Sequence, residues 1–212
     1  MNNNFSDVEQ RVKRYWFKDG IGELAGGGLF LMIGLFFAGN EWLPQNSLAR
    51  TLLDSSLILI LIGGMFIARW LINLLKTRLT YPRTGYVEYP PSKKNTPSRR
   101  VLTAVIAMSV SILMILFGRV TDSFNWIPGF TGLVVGAILI ATQAQGGGMR
   151  FYILGGLSII FGLVLSFSSL SEAYSLGLFY GLTGVTAMIS GGLTLARYLR
   201  ENPMPVESNN ER

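Results

Sequence analysis

Few side chains in this sequence could do chemistry, and their spacing suits anchoring better than catalysis. Histidine and cysteine are both absent from the 212 residues, which removes thiolate nucleophiles, Cys/His zinc sites and the side chain that titrates nearest neutrality. A reaction centre at membrane depth would need paired acids, a Ser/Lys pair or metal ligands. The apolar runs carry only scattered hydroxyls, among them Ser158, Thr183, Thr186, Ser190 and Thr194. These could line a solute path or simply bond to their own helix backbone. No catalytic residue, metal ligand or cofactor is expected, and the chain is read as not an enzyme. Every Asp and Glu falls in a loop, a tail or near a run's end, which also disfavours ion-coupled transport. Two arginines stand out, because each closes an apolar run and precedes an aromatic ring: Arg69 with Trp70, and Arg197 with Tyr198. A long cation beside an interfacial ring is a depth anchor. Glu23, the acid near the start of the first run, is the expected partner of Arg69, since an intramembrane charge usually finds one.

The second group of polar residues lies in "KTRLTYPRTGYVEYPPSKKNTPSRR", residues 76–100. Its "PRTG" predicts a tight turn between "RLTY" and "YVEY", hence a small β-hairpin. Beyond it, prolines among lysines and arginines make an extended basic linker. Tyr81, Arg83, Gly85, Tyr86 and Glu88 are the candidate binding surface for a protein partner or an anionic headgroup, because the planar fork of Arg83 suits carboxylate or phosphate. A solvated loop with its tyrosines at the interface is the plainer alternative. The stretch "YPRTGYVEY" resembles a loop of uncharacterised multi-pass bacterial membrane proteins, over about nine residues; the resemblance implies no activity.

The elements that must position these residues are apolar. Half of the chain is hydrophobic, 14% is charged, and its 25 glycines fall mainly inside apolar runs, a membrane composition. Helices that cross ~30 Å of hydrocarbon need about 20 residues. Six candidate runs appear: 21–39, 56–75, 101–118, 127–142, 151–167 and 174–195, the fourth and fifth being short. The sequence therefore predicts an all-α integral membrane protein with six transmembrane helices. With both termini in the cytoplasm, 14 of the 18 Lys and Arg lie on the inner side and only Arg50 and Arg119 outside. That asymmetry orients a multi-pass protein of the plasma (inner) membrane, and it accounts for the net charge of +6 without nucleic acid as a partner. The polar stretch before Ile21 does not read as a cleavable signal peptide. Instead, Phe5, Val8, Val12, Tyr15 and Trp16 share one helical face, predicting an N-terminal amphipathic helix that lies on anionic headgroups and ends at Gly20.

Shifting the chain so that Gly27 falls on Gly155 lays "GGLFLMIGL" on "GGLSIIFGL" and "IGGMFIARWL" on "SGGLTLARYL", with 12 identities in 49 ungapped positions. This reads as a duplicated helical hairpin, with the middle pair of helices a candidate third copy. Small residues four apart let helices approach closely in lipid. Gly64 with Ala68, Gly132 with Gly136, Gly177 with Gly181, and Gly192 with Ala196 are the expected seams, within one bundle or between copies in a homo-oligomer.

The expected organisation is an amphipathic segment (1–20), a first hairpin (21–75), a cytoplasmic basic loop (76–100), a middle hairpin (101–142), a last hairpin (143–199) and a polar tail (200–212). The function expected is a non-catalytic membrane subunit that binds or assembles through its loop. A passive solute pathway through the glycine-rich bundle is the alternative.

Overall fold

A helix satisfies its backbone hydrogen bonds within one segment, as a chain this apolar would need in lipid. The computed structural model describes residues 17–44, 46–84, 126–142 and 148–204, and every regular element among them is a helix. In order these are α1 (Ile21–Trp42), α2 (Leu48–Leu75), α3 (Ile127–Thr142), α4 (Arg150–Ser166) and α5 (Glu172–Glu201). Residues 1–16 of the expected amphipathic segment 1–20, the third apolar run 101–118 and the tail beyond residue 204 lie outside the described residues.

Local chemistry sets the boundaries. Gly20, at φ 72°, turns the chain into α1 through left-handed space open to glycine at little cost. Ser47 and Ser171 cap α2 and α5 by accepting from the amides of Arg50 and Tyr174. The helix α2 does not stop at Leu75: a π-helical turn (Lys76–Thr80) and a last helical turn (Tyr81–Thr84) continue it. The β-strand expected at "RLTY" is therefore helical, and the tight turn expected at "PRTG" begins as a helical turn; residues 85–100 lie outside the described residues. Pro82 follows this π turn directly, where a wider turn leaves more room for its ring, and the helix is described through it as far as Thr84.

Three helices are long and apolar enough to cross a membrane, namely α1, α2 with its extension to Arg83, and α5; α3 and α4 are apolar but have only 16 and 17 residues. Such helices are compatible with a membrane protein.

Packing is dominated by two glycine seams. In the first, α1 lies along α5. A Cβ added at Gly27 would sit 2.7 Å from the Gly184 carbonyl oxygen, and one at Gly34 would sit 2.7 Å from the Gly181 amide nitrogen and 2.8 Å from the Gly177 oxygen. In the second, α4 lies along α3. There a Cβ at Gly155 would sit 2.8 Å from the Gly136 oxygen, and one at Gly162 would sit 2.9 Å from the Gly132 Cα. Backbones this close trade side-chain volume for dispersion contacts and Cα–H···O interactions along the whole crossing. By contrast, α2 touches mainly α1, where Gly64 faces Leu29 and Met32, and most of its length is exposed.

Some of the expected small-residue pairs sit on these seams and some do not. Gly132, Gly136 and Gly177 are buried in them, and Gly181 lends its backbone to the approach of Gly34. Gly192 is half-buried, with Leu24 at ordinary contact distance, while Ala196 is exposed.

Candidate functional site

One end of the bundle collects buried charge. Asp19 lies in the turn before α1 and is 1% exposed. Its Oδ1 accepts from the Ile21 amide at 3.2 Å, and its Oδ2 accepts from the Thr80 hydroxyl at 3.3 Å and faces the Lys76 ammonium at 3.4 Å. This is why the extension of α2 matters, since residues 76 and 80 reach Asp19 only because the helix continues past Leu75. One turn into α1, Glu23 faces Arg150 of α4, with Oε1 2.7 Å from the guanidinium Nε, and its Oε2 accepts from the Ser190 hydroxyl of α5 at 2.7 Å. The fork of Arg150 also donates to the Thr194 hydroxyl at 2.9 Å and to the Phe17 carbonyl. The Phe151 ring lies 5.6 Å from that guanidinium and meets Phe17 edge to face, within the range of a cation–π contact. Two acids and two bases thus neutralise one another where solvent is scarce, and each is tied to further donors or acceptors, as buried ions require.

The sequence-expected pair of Glu23 with Arg69 does not form. Arg150 takes that place, because α1 packs along α5 and brings Glu23 to the start of α4, whereas Arg69 is exposed on α2. Trp70 is exposed beside Arg69. Arg197 pairs with Glu201 one turn on, at 2.8 Å, while Tyr198 is buried at 3% exposure and faces inward. The two Arg–aromatic pairs at matching positions therefore have unlike surroundings.

Arg83 is also engaged within the chain. Its Nη1 donates to the Leu199 carbonyl at 3.1 Å and to the Asn202 carbonyl at 2.8 Å, so it binds the open C-terminal end of α5, where a cation also meets the negative end of the helix dipole. Tyr81 is half-buried beside it. Gly85, Tyr86 and Glu88, the rest of the expected binding surface, lie outside the described residues.

No family model matches the chain, and comparison with curated proteins and with solved structures finds no match. The reading of function rests on the geometry.

The hydroxyls proposed to line a path are turned to other uses. Ser158 donates to the Gly132 carbonyl at 3.4 Å, Thr186 donates to the Leu182 and Thr183 carbonyls, and Thr194 donates to the Ser190 carbonyl while accepting from Arg150. Ser190 serves Glu23. Thr183 is buried at 3% exposure. A wide groove of about 340 Å³ opens between α1 and α2, and its lining is apolar, including Leu29, Met32, Gly64, Ala68 and Leu71.

Asp19, Lys76, Arg150 and Ser190 were missed as a site. Each looks ordinary alone: a polar residue at a run's edge or a hydroxyl within one. The available signal was that Arg150 lies between two glycine-rich stretches and opens the fifth run, a position that faces the first turns of neighbouring helices.

Proposed function

We propose that the chain is a multi-pass plasma-membrane protein with six crossings and both termini in the cytoplasm, and that it serves as a non-catalytic binding or assembly subunit through the loop after residue 84. Several features support the membrane reading. Ile58, Leu61, Ile62 and Met65 on α2 are large, apolar and exposed, as lipid-facing residues are. Among the described residues, Lys18, Lys76, Arg78, Arg83, Arg150, Arg197 and Arg200 gather at one end of the bundle, with Arg50 at the other, as the positive-inside rule asks of a cytoplasmic face.

The binding reading is carried by how the loop is rooted. The extension of α2 is pinned twice, by Lys76 and Thr80 to Asp19 and by Arg83 to the end of α5. A segment launched from a root so fixed loses less ordering entropy when it meets a partner. Its Lys93, Lys94, Arg99 and Arg100 suit an acidic partner or an anionic headgroup. The passive-pathway reading has less support, because Ser158, Thr186 and Thr194 bond to backbone, Ser190 bonds to Glu23, and Thr183 is buried.

The test is affinity purification from native membranes of the wild-type chain and of a variant whose residues 85–100 are replaced by a Gly/Ser linker of equal length. The wild type is expected to retain a protein or anionic lipid that the variant loses. Identical co-purifying material in the two samples would refute the role of the loop.

A further inference from the structure

The described helices repeat a packing rule that is satisfied twice and left open once. Two observations place α1 and α4 in equivalent roles. Both follow a glycine in left-handed conformation, Gly20 at φ 72° and Gly148 at φ 80°, and these two glycines coincide under the shift that defines the sequence repeat. Both also meet another backbone at glycines that coincide under the same shift, Gly27 with Gly155 and Gly34 with Gly162. The partners correspond too. Gly27 meets Gly184 and Met188, while Gly155 meets Gly136 and Ile140, one helical turn apart in each case.

Neither helix makes its main seam inside its own hairpin. The first helix of the first hairpin, α1, seats on the second helix of the last hairpin, α5; the first helix of the last hairpin, α4, seats on the second helix of the middle one, α3. If the rule closes on itself, one pairing is left, that of the second helix of the first hairpin with the first helix of the middle hairpin. The helix α2 is the open member. At positions matched by the repeat, Leu176 is 9% exposed on α5 while Leu48 is 83% exposed on α2. Likewise, a Cβ at Gly191 would sit 2.7 Å from the Gly20 oxygen, while one at Gly63 meets nothing within 4 Å.

The chain supplies one segment of the right length and path. Arg83 lies at the end of the bundle that holds Leu199 and Arg150, whereas Gly129 bonds Ser166 at the opposite end. Residues 84 and 126, which flank the intervening chain, therefore lie at opposite ends of the bundle. Within it, Val101–Gly118 is an apolar run of 18 residues unbroken by charge, ~27 Å as a helix. Its Ala104 and Ser111 repeat the seven-residue spacing of Gly27 with Gly34 and of Gly155 with Gly162.

We infer that the open face of α2, along Ala49, Ser56 and Gly63, is the seat of residues 101–118 of the same chain, which closes three hairpins into a ring by a third seam equivalent to those of α1 with α5 and α4 with α3. This rests on the six-crossing reading. The face is thus a site of self-assembly within one chain, not a lipid face or a contact with a second copy.

Because the chain has no cysteine, disulfide trapping in native membranes tests it directly. The pairs Ser56→Cys with Ala104→Cys, Ser56→Cys with Ala107→Cys, and Ala49→Cys with Ser111→Cys would be oxidised alongside each single variant. A control pair joins Ala104→Cys to Leu193→Cys, on the exposed side of α5. At least one α2 pair is expected to form an intramolecular disulfide at a yield unchanged by expression level, with the control pair unlinked. Dimers trapped by Ser56→Cys alone would overturn the proposal in favour of a second copy. A link only to Leu193→Cys, or no α2 link in protein that elutes as the wild type does, would overturn it as well. If the six-crossing reading itself fails, impermeant labelling of a cysteine placed at residue 122, just past the 101–118 run, reveals it separately, because reagent outside the cell then no longer reaches it.

Discussion

At the scale of the residue, the chemistry lies in the pairing of Glu23 with Arg150. Burying an ion pair gains little over apolar packing, but removing one partner strands the other charge. The Arg150→Met variant is therefore expected to lose about 3–5 kcal/mol of stability, read as a lowered thermal midpoint in detergent. The double variant Glu23→Leu/Arg150→Met should recover most of the loss. An unchanged midpoint in the single variant would show that Glu23 is solvated by other means. Arg69→Ala is the contrast, expected to stay within about 0.5 kcal/mol of wild type because its side chain is exposed. That Glu23 needs a buried partner was legible from its place in an apolar run. Which arginine answers was not, because the pairing spans more than half of the chain and depends on which helix lies beside α1.

At the scale of the element, glycine position matters more than glycine count. A Cβ added at Gly27 or Gly155 would meet a carbonyl oxygen at under 3 Å, while one at Gly22 or Gly26, on the same helix as Gly27, would meet nothing within 4 Å. Leucine at either of the first two positions must push helices apart, with an expected cost of at least about 1–3 kcal/mol. Leucine at Gly26 should cost much less, and equal effects at Gly26 and Gly27 would contradict the seam. Helix boundaries were readable here, since hydropathy alone places Ile127–Thr142. Gly132 and Gly136 are buried where α3 meets α4, whereas Ala196 is exposed, because small-residue spacing names a face that can pack without saying what covers it. The strand expected at Arg78–Tyr81 failed for another reason: Pro82 looks like a turn former until a π turn makes room for it.

At the scale of the whole molecule, the fold puts buried and surface cations at one end, and this fixes a prediction about sidedness. With cysteine introduced at residue 46 or at residue 93, an impermeant maleimide added to intact cells is expected to label only the first. Labelling of residue 93 alone would reverse the proposed topology, and labelling of both from outside would break it. The sequence carried the asymmetry of charge plainly, but it could not say that Arg83 spends its fork on the end of α5, since free carbonyls at a helix end have no signature in composition.

The seam of α1 with α5 joins the first described helix to the last. On the proposed membrane reading, Glu23 therefore enters the bilayer long before Arg150 and Ser190 leave the ribosome, and the nascent chain must carry an unmatched acid until α4 and α5 follow. Chains truncated ahead of Arg150 would keep that acid exposed, which would mark them for membrane proteolysis.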